Sequence, residues 1–159
     1  MFKLLGSVAV ILASGIIGIK KYTELYERAR ILGVVRDGAE RIRDNIRCKC
    51  MPLYDCFLCG GEFFERASYY MNEGSLPSVA VKSAAAEVGV FLTCDRDAIY
   101  RFSDGLCSED CEGQLRNIEL LIVETEKNIE HAKKQLETRG RLFIKGSFLL
   151  AAAVVLVLI

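Results

Sequence analysis

Cysteines are the residues of this sequence best suited to chemistry, and seven of them are spread unevenly along the chain. Four fall close together, as Cys48-x-Cys50 followed by Cys56-x-x-Cys59. Thiolates at such spacings can bind zinc, but the usual site has two knuckles separated by a longer loop. Here the two pairs are separated by a short segment that contains Pro52. Free thiols on buried helix faces are therefore favoured and no metal ligand is predicted, with a zinc or redox site at these four cysteines kept as the alternative.

The rest of the sequence predicts no catalytic residue and no cofactor. Its single histidine, His131, has no Ser or Cys partner at a catalytic spacing, which favours a solvated helix face. Motifs for phosphate loops, dinucleotide binding, nucleophile elbows and zinc proteases do not occur in the sequence. Twenty-one basic and 21 acidic residues give a formal charge of zero, so no basic field indicates a nucleic-acid partner. We expect a protein that is not an enzyme.

Apolar segments occupy both ends of the chain. Residues 2–19 are apolar apart from Lys3 and small residues, and Lys20 and Lys21 follow directly; residues 142–159 are apolar apart from Lys145 and Ser147. About 20 apolar residues span the roughly 30 Å hydrocarbon core, and lysines at the ends can snorkel outward. A cleavable signal peptide is less favoured for the first segment, because no Ala-x-Ala site follows it.

These segments and their basic flanks predict a two-pass membrane protein. Its parts would be a transmembrane helix at 1–20, a helical domain at 21–141 and a transmembrane helix at 142–159. Lysines and arginines follow the first segment and precede the second, whereas only Lys3 lies on the other side. Because basic residues stay on the cytoplasmic side, the middle domain is expected in the cytoplasm, where its cysteines would remain thiols.

Helical periodicity dominates the middle of the chain. One narrow apolar stripe runs through Leu25, Ala29, Leu32, Ala39, Ile42 and Ile46. A heptad seam of three repeats runs through Leu115, Ile118, Ile122, Thr125, Ile129, Ala132 and Leu136. We expect these two long helices to pair antiparallel as a coiled-coil stalk.

The segment between them predicts short helices broken at Met51-Pro52, at Gly60-Gly61, at residues 72–75 with Pro77, and at residues 103–105. Its core would come from Phe63, Phe64, Tyr69, Tyr70, Val79, Val81, Val88, Val90, Phe91 and Leu92. The predicted fold class is thus all-α: a cytoplasmic helical bundle with two long antiparallel helices, flanked by an N-terminal and a C-terminal transmembrane helix.

Short motifs and this end-to-end architecture together resemble a known family. The chain opens with Met1-Phe2-Lys3-Leu4-Leu5-Gly6, and Arg141-Leu142-Phe143 enters the terminal apolar segment. Between them, the motif positions are Pro52 and Leu53 of Pro-Leu-x-Asp, and Asp110 and Gln114 at the start of the last long helix. In this pattern the sequence resembles the stage III sporulation protein AB family. It departs from that family at Asp55, where glutamate is usual, at Cys56, where alanine is usual, and at Cys107, where glycine is usual.

The resemblance implies a role in endospore formation. Family members belong to a multi-protein complex of the mother-cell membrane around the forespore, and they are similar to the cytoplasmic domains of type II secretion platform proteins. The implied partners are the lipid bilayer and the other subunits of a secretion-like channel, including a cytoplasmic ATPase and ring proteins, with a homo-oligomer left open. The function expected is non-enzymatic assembly or docking. The alternatives are a metal- or redox-sensing membrane protein that uses the Cys48–Cys59 cluster, and a two-span subunit whose middle part only spaces its anchors.

Overall fold

A computed structural model describes the backbone of residues 2–49, 51–106 and 111–140, together with Gly146 and Leu149, and most of their side chains. Six α-helices follow one another in these ranges: α1 (Phe2–Lys49), α2 (Leu53–Cys59), α3 (Glu62–Asn72), α4 (Pro77–Glu87), α5 (Thr93–Gly105) and α6 (Cys111–Gln135). A single π-helical stretch, Leu136–Gly140, continues α6. The described residues contain no strand, which confirms the all-α class.

Proline and glycine set the boundaries of the short helices where the sequence predicts them. Pro52 directly precedes α2, and Pro77 is the first residue of α4, where its missing N–H has no helical partner to lose. Gly61 and Gly74 have φ angles of 87° and 95°, a left-handed conformation that favours glycine.

The break between α4 and α5 has neither a proline nor a glycine with a positive φ angle, and it was not predicted. There the buried carboxylate of Asp95 accepts a hydrogen bond from the Leu92 N–H, at 2.9 Å, at the start of α5.

The chain divides into two compact units, residues 29–130 and residues 1–28 with 131–159. In the first, phenylalanines from several helices form the centre of the core. Phe64 lies 5.3 Å from Phe57, 5.1 Å from Phe63 and 6.1 Å from Phe102 between ring centroids. Such tilted and edge-on contacts add to the free energy gained by burial. Phe63, Phe64, Val81 and Phe91 are buried as predicted.

Three of the predicted core residues prove to be exposed. Tyr69, Val79 and Leu92 keep 61%, 48% and 45% of their surface accessible, so their assignment to the core is wrong. Tyr69 and Val79 lie on accessible faces of α3 and α4, which are 11 residues long each, and Leu92 lies in a connection. In helices this short, an apolar residue adds little evidence for a face.

Most positions of the two predicted stripes are buried in the unit formed by residues 29–130, whereas Ala29 and Leu115 are only half-buried. In α1 the buried positions are Leu32, Val35, Ala39, Ile42 and Ile46, and in α6 they are Ile118, Leu121, Ile122, Thr125 and Ile129. Val35 and Leu121 were not predicted, and they widen each stripe from a narrow seam to a face that contacts more than one neighbour. Glu126 of α6 lies close enough to Arg36 of α1 to help raise the pKa of its guanidinium, after the larger effect of the hydrogen bond to Asp37. The antiparallel direction of the pair stays a prediction.

The other unit contains residues 1–28 and 131–159, and two polar contacts are seen in its described part. Arg28 is buried and donates a hydrogen bond to the Gln135 side chain at 3.3 Å. Lys21 pairs with Glu24 at 2.8 Å on the surface of α1. A guanidinium at this depth requires hydrogen-bond partners, because leaving it unpaired would cost several kcal/mol.

Across the residues described, no helix is both long and apolar enough to cross a membrane. The span predicted at 142–159 lies outside the described residues except for Gly146 and Leu149, and side chains of the span predicted at 1–20 are described only from Ile16 onward. Both predicted spans therefore stay predictions.

Candidate docking cleft

A half-open cleft of about 690 Å³ lies between α1, α3 and α4, within residues 29–130. Its apolar surface comes from Ile31, Val34, Phe63, Ala84 and Val88, and its charged and phenolic groups come from Arg30, Glu62, Glu65, Arg66, Tyr69, Tyr70 and Glu87. An apolar floor with a few convergent polar groups is the usual composition of a binding site.

Two glycines position α1 beside the helices that form the cleft. A Cβ at Gly38 would collide with the Gly60 carbonyl oxygen and would lie 2.7 Å from the Phe64 ring. A Cβ at Gly60 would lie 2.8 Å from Cβ of Phe64 and 3.0 Å from the Ile42 side chain. Only glycine at both positions allows α1 to approach the α2–α3 turn this closely.

A polar network joins α3 to α4 at the rim of the cleft. Arg66 Nε donates to Glu87 Oε2 at 2.8 Å, and the Tyr70 hydroxyl donates to Glu87 Oε1. The Tyr70 hydrogen bond is the largest of the effects that lower the pKa of Glu87, and the Arg66 charge adds to it, whereas desolvation opposes them. The same hydrogen bond raises the pKa of Tyr70. The hydrogen bond between Tyr69 and Glu73 raises the pKa of the Tyr69 phenol in the same way. Both tyrosines therefore stay protonated donors near neutral pH.

The chemistry of the cleft favours binding. Its lining contains neither a Ser, Thr, Cys or His side chain nor a pairing of nucleophile and base. Glu62 and Glu65 are exposed carboxylates at the edge of an apolar floor, an arrangement that suits an apolar side chain carried beside a cation. That the protein is not an enzyme stays a prediction.

Three of the four clustered cysteines are described, and they differ in environment. Cys56 is buried as predicted, and its Sγ donates to the Met51 carbonyl at 3.5 Å. Cys48 and Cys59 are exposed, so the prediction of buried helix faces is wrong for these two thiols. Cys50 lies outside the described residues. Elsewhere Cys94 and Cys111 are exposed. Among described side chains, no three from His, Cys, Asp and Glu come close enough to hold a metal ion.

The motif positions singled out from the sequence lie apart from the cleft. Pro52 precedes α2, Leu53 begins it, and Gln114 is in the first turn of α6, while Asp110 is outside the described residues. His131 is exposed on α6, as predicted. No cleft residue was identified as a site residue from the sequence, because the lining comes from three helices and its spacing along the chain has no pattern. The one feature of the sequence that could have indicated the cleft was the adjacent pair Tyr69-Tyr70, and both tyrosines were assigned to the core.

Comparison with known proteins assigns the chain to a family. The family model described as stage III sporulation protein AB matches residues 3–159, which is nearly the whole sequence. No curated protein and no solved structure matches significantly. A match of this extent includes both long helices, the short helices between them and both apolar ends. The chain therefore belongs to the stage III sporulation protein AB family.

Proposed function

We propose that this sporulation-stage protein is a non-enzymatic, membrane-anchored assembly component of a secretion-like channel complex. The family match over residues 3–159 is the observation that carries the proposal. Anchoring would come from helices at 1–20 and 142–159 in the mother-cell membrane, and residues 21–141 would lie in the cytoplasm as the docking domain. The basic residues that flank both apolar segments support this orientation.

The cleft between α1, α3 and α4 is the best candidate for the surface that binds a cytoplasmic ATPase or ring protein. Its floor offers partly accessible apolar surface at Ile31, Val34 and Val88, and its rim offers carboxylates. Interfaces of this composition combine a buried apolar anchor with a polar edge. The Arg66–Glu87–Tyr70 network supports α3 and α4 in the positions that shape this surface.

The test is capture of the full chain, with its bound subunits, from detergent-solubilised sporulating cells. Wild-type protein should recover the ATPase and membrane ring subunits, identified by mass spectrometry, and Val34→Arg should lose them, because the arginine places a charge on the apolar floor. Val79→Arg is the matched control, since Val79 is 48% exposed on α4 and does not line the cleft. Equal recovery with both variants would reject the cleft, and recovery of no channel subunit with wild type would reject the assembly role.

The alternative of a metal- or redox-sensing protein has no specific observation in its favour. Cys56 is buried with its thiol bonded to a backbone carbonyl, and among the described side chains no three from His, Cys, Asp and Glu lie close enough to hold a metal ion. Zinc analysis of the purified full chain, compared with Cys56→Ser and Cys59→Ser, tests this alternative directly.

A further inference from the structure

The charged groups that line the cleft between α1, α3 and α4 differ in whether the protein itself pairs them. Arg66 donates to Glu87 at 2.8 Å, and Arg30 also has an interaction inside the structure. Glu62 and Glu65 are exposed, and within the described ranges neither carboxylate has a hydrogen bond or an ion pair. These two negative charges are therefore left to an external partner.

An exposed aromatic ring lies on the same face of α3 as these carboxylates. At roughly 100° per residue, Glu62, Glu65 and Tyr69 fall within about 60° of one another around the helix. Tyr69 keeps 61% of its surface accessible although its phenol is hydrogen-bonded with Glu73. Its ring centroid lies 6.0 Å from that of Tyr70 in an edge-on arrangement. A cation over the Tyr69 ring would be attracted by the ring and by the two carboxylates together.

Apolar surface lies beside this acidic and aromatic face. Ile31, Val34 and Val88 line the cleft and are only half-buried, so each keeps accessible apolar area. The half-open volume of about 690 Å³ has room for several side chains from one face of a helix. Helices that dock in such grooves do so through apolar side chains spaced three or four residues apart.

We propose that the partner segment bound in this cleft is an amphipathic helix that carries an arginine within one turn of its apolar anchors. The apolar anchors contact the floor, and the guanidinium lies over Tyr69 with Glu62 and Glu65 as its carboxylate partners. Arginine suits this place better than lysine, because a planar guanidinium stacks on an aromatic ring and offers several N–H donors at once. The inference rests on the proposed function, since it names the chemistry of the partner that docks in the same cleft.

The dipole of α3 provides a second reason for acidic residues at its start. Glu62 and Glu65 lie in the first turn of α3, where negative charge stabilises a helix. That effect explains their sign, but it requires neither the exposed Tyr69 ring nor the apolar surface beside them. Glu112 lies in the first turn of α6, is exposed and does not line the cleft, so it is a matched control for the dipole.

Site-specific photo-cross-linking of the full chain in sporulating cells tests the inference. p-Benzoylphenylalanine in place of Tyr69 keeps an aromatic ring at the rim, and mass spectrometry identifies the segment that it captures. We expect a helical segment with an arginine three or four residues from an apolar side chain. The same photo-reactive amino acid in place of Val79, which is exposed on α4 and does not line the cleft, controls for nonspecific capture.

Charge substitutions then test the two carboxylates. Glu62→Gln combined with Glu65→Gln should lower the cross-linking yield about tenfold or more, because the arginine loses both of its partners. Glu112→Gln should leave the yield unchanged. Glutamate in place of the arginine of the captured segment should also abolish cross-linking, and Glu65→Arg in this chain should then restore it. Such a rescue requires that the two residues meet, and circular dichroism melting of each purified full-length variant checks its folding.

Several results would overturn the inference. They are a Tyr69 position that captures no more than the Val79 position, a captured segment without a cation, and a yield that the double glutamine substitution leaves unchanged. Capture of residues 116–127 of a second copy would also overturn it and would replace the partner helix by self-association. On α6, Leu120 and Val123 are exposed between Arg116 and Lys127.

The identity of the captured protein is a separate readout. A segment with the expected arginine from a protein outside the channel complex would support the chemistry of the cleft and reject the assembly role. A channel subunit captured through a segment without a cation would support the assembly role and reject the chemistry. Failure of one proposal is therefore distinguishable from failure of the other.

Discussion

At the scale of single residues, Gly38 and Gly60 determine how closely α1 approaches the α2–α3 turn. The contact is between backbones, so no rotamer change can relieve an added methyl group at Gly38. Gly33, on the same helix, offers a matched site where a methyl group would meet nothing within 4 Å. Comparing an alanine substitution at Gly38 with one at Gly33 therefore separates the cost of close packing from the gain in helix propensity.

Gly38→Ala should therefore destabilise the protein by about 1–3 kcal/mol, the usual cost of overpacking. Gly33→Ala should stabilise it by about 0.5–1 kcal/mol, because alanine replaces glycine inside a helix without a clash. Thermal unfolding of the detergent-solubilised full chain measures both effects. Stabilisation by Gly38→Ala would mean that α1 and the α2–α3 turn do not touch at this position.

The Glu87 carboxylate gives a residue-scale test by titration. Its pKa is lowered chiefly by the Tyr70 hydrogen bond, so Tyr70→Phe should raise the pKa toward the ordinary value. Tyr69→Phe should leave it unchanged, because Tyr69 bonds Glu73. Carboxyl NMR of full-chain protein labelled at glutamate measures both. Equal effects of the two substitutions would contradict the assigned bonding.

The direction of the shift fixes the sign of the pH effect. A carboxyl group with a depressed folded-state pKa stabilises the fold above its unfolded pKa, and this contribution is lost as pH falls through the folded pKa. Wild type should lose more stability than Tyr70→Phe as pH falls through the acid range below the ordinary glutamate pKa. Because the group is exposed, the difference should be small.

At the scale of elements, the heptad seam of α6 is a packing face. Ile122 and Ile129 are each 7% accessible, and Ile122→Ala or Ile129→Ala should cost about 2–5 kcal/mol in unfolding free energy. Lys133→Ala, exposed on the same helix, should change stability by less than about 0.5 kcal/mol. Melting curves of the three variants provide the comparison, and equally small shifts at all three would show that the seam is not packed.

Leu121 shows where the heptad pattern was incomplete. It is only 2% accessible although it lies off the predicted seam, so Leu121→Ala should be as destabilising as Ile122→Ala. The seam residues could be predicted because a long helix repeats its pattern many times. The burial of Leu121 could not be predicted, since it depends on which neighbouring helices pack beside the seam. The same limit explains Tyr69 and Val79, because a short helix repeats its pattern too few times to define a face.

At the scale of the whole molecule, the predicted topology can be tested through the exposed thiols. Cys59 and Cys94 are exposed, so a membrane-impermeant maleimide should reach them as soon as it has access to their compartment. With both ends anchored and the middle domain in the cytoplasm, labelling should require permeabilised cells. The chain is produced in vegetative cells for this test, so that the side opposite the cytoplasm faces the medium, and the matched control is an added cysteine directly before Phe2, which should label in those intact cells. Strong labelling of Cys94 in intact cells would overturn the orientation.

Much of this protein follows from its sequence alone. The all-helical class, the two long helices, the breaks at Pro52, Gly61 and Pro77, and the family are all encoded locally, because periodicity, restricted φ angles and short motifs need no tertiary context. The predicted spans and the cytoplasmic location rest on the same local signals and stay predictions.

Only the tertiary structure decided which side chains of different helices lie next to each other. The cleft joins side chains from α1, α3 and α4, and the Glu87 carboxylate meets Tyr70 and Arg66 only because α4 packs against α3. Whether a glycine is a contact or an open position, as at Gly38 and Gly33, also depends on the neighbouring helix. The reason is physical: a residue's own spacing fixes its direction on a helix, whereas its environment is supplied by elements distant in the chain.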